Sequence, residues 1–139
     1  MSLMTDVHRK AMDFAARGLM ARMRGDIEEA AAYFEQALEN ELVALDELDR
    51  LGNKVEPTYS VLHRSAATLA LDCHDFRLAE KLASKALAAD PPPAIADELR
   101  DVIEQAKSYQ HLELKGVKLE QSDRTAIVRR STGHSGNRG

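Results

Sequence analysis

Residues 25–38, GDIEEAAAYFEQAL, constrain this chain more than any other stretch. Gly25 suits a left-handed turn, Asp26 directly after it is a helix-capping residue, and Glu29, three positions on, can return the capping bond. Behind that cap, Ile27, Ala30, Phe34, Ala37 and Leu38 follow one another at spacings of three, four, three and one. Such spacing places them on one helical face. The small residues Ala30 and Ala37 let a neighbouring helix approach closely, and Phe34 fills the space between them. A related pattern recurs at residues 75–87, DFRLAEKLASKAL. The expectation is a module of paired helices packed through small side chains.

Size and composition set the bounds. At 139 residues the chain fits one domain with a modest core. It is 44% hydrophobic with no Trp, and alanine and leucine supply much of that share, which suits close helix packing and argues against a sheet. A net charge of −4 gives no reason to expect a nucleic-acid or membrane partner. Charge is unevenly spread: residues 26–49 hold nine acids and no Lys or Arg, while Arg124, Arg129, Arg130 and Arg138 load the C-terminal part. The acidic run reads as a solvated helix face. Cys73 stands alone, so no disulfide framework forms within the chain and a reducing compartment is expected. No apolar run approaches the ~20 residues of a membrane span. Residues 4–24 mix apolar positions with Asp6, His8, Arg9, Lys10 and Asp13, unlike a signal peptide. A soluble cytoplasmic protein is the resulting expectation.

Taken in order, the sequence predicts five helices. The first has Thr5 or Asp6 as its cap and a stripe of Val7, Ala11, Phe14, Ala15, Gly18 and Ala21. Gly18 lies mid-helix and costs about 1 kcal/mol relative to alanine, so close contact with the next helix is expected there. The second helix starts after Asp26 and meets no breaker before Gly52, with Leu42, Leu45 and Leu48 extending its apolar face. Residues 52–57 form a turn, Thr58 caps the third helix, and Leu62, Ala66, Leu69 and Ala70 point inward. The fourth helix follows the turn at His74 and Asp75 and is stopped by Asp90 and Pro91–Pro93. A fifth, with Ile95, Leu99, Val102, Ile103 and Ala106 inward, ends near Tyr109. Residues 1–110 thus form a helical domain and 111–139 an extension. Within that extension, Leu112, Leu114, Val117 and Leu119 nearly alternate with polar residues and suggest a short strand. Ala126–Val128 suggests another, and from Arg129 onward the composition is that of a disordered tail. The predicted fold class is all-α, built of antiparallel helix pairs.

Two turn-plus-helix units align at an offset of 49 residues, setting Asp26 on Asp75, Ala30 on Ala79, Ala37 on Ala86 and Leu38 on Leu87. Here the chain resembles the tetratricopeptide repeat, whose helix pairs recur every ~34 residues. The first copy carries Phe14, Gly18, Gly25, Asp26, Ala30, Phe34 and Ala37 at the motif's spacing, and the second carries Ala67, Asp75, Phe76, Ala79, Ala86, Leu87 and Pro91. The second copy departs from the motif at His63, His74 and Ala83, and the first at Leu42, where the closing proline would stand. A longer second helix and the turn that follows take up the excess spacing. The stretches EPTYSVLHRSAATLALDC and PPPAIADELRD are also similar to small uncharacterised bacterial tetratricopeptide proteins.

The resemblance implies a concave groove lined by the first helix of each pair. Its lining here would be Met12, Ala15, Ala16, Leu19, Arg22 and Met23, then Val61, Arg64, Ser65, Thr68, Leu71 and Asp72. Family members that grip an acidic tail use lysine and asparagine at the clamp positions, here Ala15, Leu19, Arg64 and Thr68, so that activity is not implied. A groove rich in Met and Leu fits an amphipathic helix or apolar peptide of a protein partner. The alternative is that it packs on the chain's own tail or on a second copy as a homodimer. His8, His63, His74, His111 and His134 are scattered, and none pairs at helical spacing in a metal motif. No catalytic residues, metal site or cofactor are expected, and Cys73 reads as a buried structural thiol. The functional expectation is a protein-interaction module, with a regulatory helical domain of a longer protein as the second reading.

Overall fold

A computed structural model describes residues 2–52 and 54–116. Among these residues the fold is all-helical: α1 Leu3–Met23, α2 Ile27–Arg50, α3 Thr58–Asp72, α4 Phe76–Leu87 and α5 Pro93–Leu114. Neighbours in sequence pack as antiparallel hairpins, α1 on α2 and α3 on α4, with α5 against α4 and α3. No described helix is long and apolar enough to cross a membrane.

Turn chemistry recurs at the 49-residue offset bond for bond. Asp26 N–H donates to the Ala21 carbonyl at 2.9 Å, and Asp75 N–H to that of Ala70 at 2.8 Å. Gly25 N–H reaches Arg22 at 3.0 Å and His74 N–H reaches Leu71 at 3.0 Å. His74 holds the left-handed φ of 62° where the first copy has Gly25 at 81°, so the histidine occupies a glycine conformation. Asp26 and Asp75 cap their helices through the N–H of Glu29 and of Leu78, at 3.4 and 3.2 Å. Glu29 does not return the bond as the capping-box spacing predicts; its carboxylate accepts from Arg24 at 3.4 Å instead.

The helix boundaries differ from the sequence expectation in three places. Ser2, not Thr5 or Asp6, caps α1, accepting from Thr5 N–H at 3.1 Å, so the helix begins at Leu3. Thr58 lies inside α3 rather than capping it, and the Glu56 carboxylate supplies acceptors instead, for Ser60 N–H at 3.0 Å and Ser60 O–H at 2.6 Å. The third difference is α5, which runs through Leu114 and ends on Gly116 at φ 76°, so Leu112 and Leu114 are helical and the strand expected there does not form. Val117, Leu119, Ala126–Val128 and the expected disordered tail from Arg129 lie outside the described residues.

The core is built from small residues with few large ones between them. Ala21, Ala30, Ala37, Ala67, Ala70, Ala79, Ala83, Ala86 and Ala106 are buried around Phe34, Phe76, Leu99 and Tyr109. Phe76 stacks on Tyr109 with ring centres 4.7 Å apart, which ties the start of α4 to α5. A second cluster joins Leu45 and Leu48 of α2 to Tyr59, Leu62 and Ala66 of α3, so the extra length of α2 covers the first half of α3. Gly18 meets its expected packing partner: a Cβ built there would stand 2.9 Å from the Phe34 ring.

One acid departs from the solvated face expected of α2. Glu41 is fully buried. It lies in phase with Phe34, Ala37, Leu38, Leu45 and Leu48, on the apolar stripe rather than opposite it. His8 Nδ1 stands 2.9 and 3.0 Å from its two carboxylate oxygens and donates to them.

A cleft between the first and third helices

Helices α1, α3 and α5 lie side by side and run in the same direction. Met12 meets Ser65 and Arg22 meets Asp72, while Arg64 meets Glu98 and residues 74–77 meet the last turn of α5. The two gaps in this layer differ. α3 packs against α5, whereas the backbones of α1 and α3 hardly meet. Between them opens a cleft of about 530 Å³.

Nine of the residues expected in the groove line this cleft: Met12, Ala15, Leu19 and Arg22 from α1, and Val61, Arg64, Ser65, Thr68 and Asp72 from α3. Helical phase explains the α1 side, since positions 8, 12, 15, 19 and 22 form one stripe. Phe34 and Leu69, both buried, reach the cleft from beneath. Met12 and Leu19 remain 36% and 50% exposed, so apolar surface stands at the rim.

Three expected residues fall elsewhere. Met23 is 79% exposed beyond the end of the cleft, and Ala16 is exposed on the outer side of α1. Leu71 is buried. It shares a helical face with Arg64, which bonds α5, so the third helix of the layer covers the position that two repeats alone would leave open. His8, Phe34 and Leu69 are the lining residues the sequence reading did not place there. For His8 a signal was present, because it continues the stripe of Met12, Ala15 and Leu19 one turn toward the N-terminus.

The cations along the cleft are engaged within the fold. Arg22 donates to Asp72 at 2.9 Å and lays its guanidinium over the Phe34 ring, 4.5 Å from the centroid. Its Nε is buried and makes no hydrogen bond to a described residue. Arg64, the cation among the four clamp positions, donates to Glu98 at 2.8 Å. Ser65 O–H points to the Met12 sulfur at 3.9 Å, a weak contact that spans the gap. The cleft is thus crossed at Met12 and closed at Arg22, with Ala15, Leu19, Thr68 and Leu69 between these crossings.

Of the histidines, His63 is buried in α3. Its Nδ1–H donates to the Tyr59 carbonyl at 2.7 Å, and its ring lies 4.3 Å from that of Tyr59. Burial holds its imidazole below the ordinary range, against the opposing effect of that hydrogen bond. No group of three or more His, Cys, Asp or Glu among the described residues is arranged to hold a metal ion. Comparison of the chain with protein-family models, with curated proteins and with solved structures returns no match.

Proposed function

We propose that this chain is a protein-interaction module that takes an apolar or amphipathic segment of a protein partner into the cleft between α1 and α3. The observation that carries this is the cleft itself: about 530 Å³, with Phe34 and Leu69 beneath and exposed Met12 and Leu19 at its rim. Its polar side chains support the same reading. Arg22 and Arg64 are committed to Asp72 and Glu98, so a polar ligand would first have to break those pairs. Apolar side chains need not, and each Å² they remove from water contributes about 25 cal/mol. Methionine adapts to varied shapes, which suits a surface receiving a helix or strand. The tetratricopeptide resemblance points the same way, through the turn that repeats at residues 21–26 and 70–75.

Peptide display tests the reading. Affinities of selected peptides are measured by fluorescence anisotropy on the native chain and on a Met12→Glu, Leu19→Glu variant whose helical signal is unchanged. The expected result is that selected peptides share spaced apolar residues and weaken at least tenfold on that variant. Selected peptides that instead weaken when Glu35, Glu39 and Asp46 are neutralised would move the interface to the exposed acids of α2 and overturn the assignment. A display that yields no binder does the same.

A further inference from the structure

We infer that the chain carries its own competitor for this cleft: residues 117–139, and within them Ala126-Ile127-Val128, dock between α1 and α3 and must leave before another segment binds. The inference rests on the cleft being a docking site, as proposed above, and adds what regulates access to it.

The first support is where α5 delivers the chain. Its last turn lies beside residues 74–77, lining one hollow with His74, Asp75, Phe76 and Arg77. These residues begin two positions after Asp72, the α3 side of the Arg22–Asp72 bridge that closes the cleft. Residue 117 therefore starts at the same end of the three-helix layer as Leu19 and Arg22. Gly116, at φ 76°, turns the chain out of the helical path at that point.

Reach and content agree. Crossing from α5 over α3 to α1 takes two interaxial spacings of about 8–10 Å each. Ten residues from Gly116 to Ala126, at about 3.3 Å each, span roughly 33 Å when extended. The apolar triplet thus arrives at the cleft with chain to spare. It is the one run of three consecutive apolar residues beyond Gly116, followed by Arg129 and Arg130.

The net charges of the two parts are opposite, which favours contact between them but not this cleft in particular, since its charged lining is Arg22, Arg64 and Asp72. Residues 117–139 hold five Lys and Arg against two acids, while residues 1–116 hold fourteen against twenty-one, so the segment carries +3 and the remainder −7. Tethering adds to this, because a short covalent connection presents a segment at an effective concentration in the millimolar range. A weak apolar contact then suffices to fill the cleft most of the time. If it is filled nine-tenths of the time, a competing segment binds about tenfold more weakly than to an open cleft.

The probe is a fluorescein-labelled synthetic peptide of residues 120–132, EQSDRTAIVRRST, added in trans. It is titrated onto the native chain and onto a full-length variant with Ala126→Ser, Ile127→Ser and Val128→Ser. The expected result is binding to the serine variant about tenfold tighter than to the native chain, lost when Met12→Glu and Leu19→Glu are added. In the native chain, labelled methyl groups of Ile127 should show cross-relaxation to Met12 and Leu19. Equal affinity for both chains would mean that the cleft accepts the sequence but is not occupied by it, which overturns the inference. So does failure of the peptide to bind the serine variant, while display-selected peptides that bind there leave the proposed function standing. Loss of binding on neutralising Glu35, Glu39 and Asp46 instead would place the segment on α2. Cross-relaxation between differently labelled chains in a mixed sample would make the occupant a second copy, and either outcome overturns the inference.

Discussion

Substituting Gly18 by alanine sets two effects against each other. A mid-helix glycine replaced by alanine gains about 1 kcal/mol from backbone propensity alone. Against that, the new Cβ would stand 2.9 Å from Cε1 of Phe34 and 3.0 Å from Cδ1 and Cζ. Carbon atoms at ease lie about 3.5–4.0 Å apart, so the ring must retreat by roughly half an ångström or more. It has little room: Phe34 is buried, and the Arg22 guanidinium lies over its ring. Overpacking of this kind costs about 1–3 kcal/mol. The net expectation is a loss of about 1 kcal/mol despite the propensity gain, read by urea denaturation. A double-mutant cycle with Phe34→Leu isolates the cause, since leucine lacks the ring atoms Cε1 and Cζ. In that background Gly18→Ala should become stabilising, giving a coupling of about 2 kcal/mol, within the range for residues in contact. If Gly18→Ala stabilises the native chain, or if the coupling is near zero, the glycine is not there to admit the ring.

Removing His8 should matter more than its partial exposure suggests. His8→Ala leaves the buried Glu41 carboxylate without its partner, at a cost of about 3 kcal/mol, and Glu41→Leu in the same chain should restore most of it. Equal melting of His8→Ala and the native chain would show that water replaces the imidazole. Ala79→Leu and Ala30→Leu should each cost about 1–3 kcal/mol by overpacking, checked by the same denaturation assay, because both positions are buried between helices. His63 predicts a pH dependence: its folded pKa lies below the unfolded value of about 6.5, so the unfolded state binds more protons between those two values. Stability is therefore fully present above pH ~6.5 and falls as pH drops below it. His63→Phe should flatten that part of the profile, and an unchanged slope would refute the assignment.

Local chemistry was legible in the sequence and non-local packing was not. The caps at Asp26 and Asp75, the left-handed turn at Gly25 and the packing need at Gly18 depend on residues within one turn of each other or on one missing side chain. Where caps competed, the outcome depended on atoms further off: Ser2 took the start of α1 from Thr5, and Glu56 took the start of α3 from Thr58. The α5 terminus was misplaced because Leu112 and Leu114 alternate with polar residues, a pattern that also fits a last, loosely packed helical turn with Leu114 exposed. Glu41 shows the opposite failure. Its phase placed it on the buried stripe, but its charge grouped it with the exposed acids around it. The partner that makes its burial tolerable lies thirty-three residues away on another helix. Leu71 was assigned to the groove by analogy with a two-helix layer, and the third helix buries it.

Side-chain size accounts for the cleft lying between α1 and α3 rather than between α3 and α5. Interaxial distance follows the residues at the contact, from about 8 Å for small ones to 10 Å for large ones. The flank of α3 in phase with Arg64, which bonds α5, carries buried Ser60 and Ala67, and these let α5 come close. On the opposite flank Val61, Ser65, Thr68 and Asp72 face Met12, Leu19 and Arg22 of α1, and no buried alanine pair draws the helices together. Long side chains span the gap instead, Arg22 to Asp72 and Met12 to Ser65. An opening fixed by helix packing needs no shift of α1 or α3 before a segment fills it. A segment entering it gains chiefly by covering Met12 and Leu19, and loses little to reordering the site, which is the condition under which modest apolar contacts yield usable affinity.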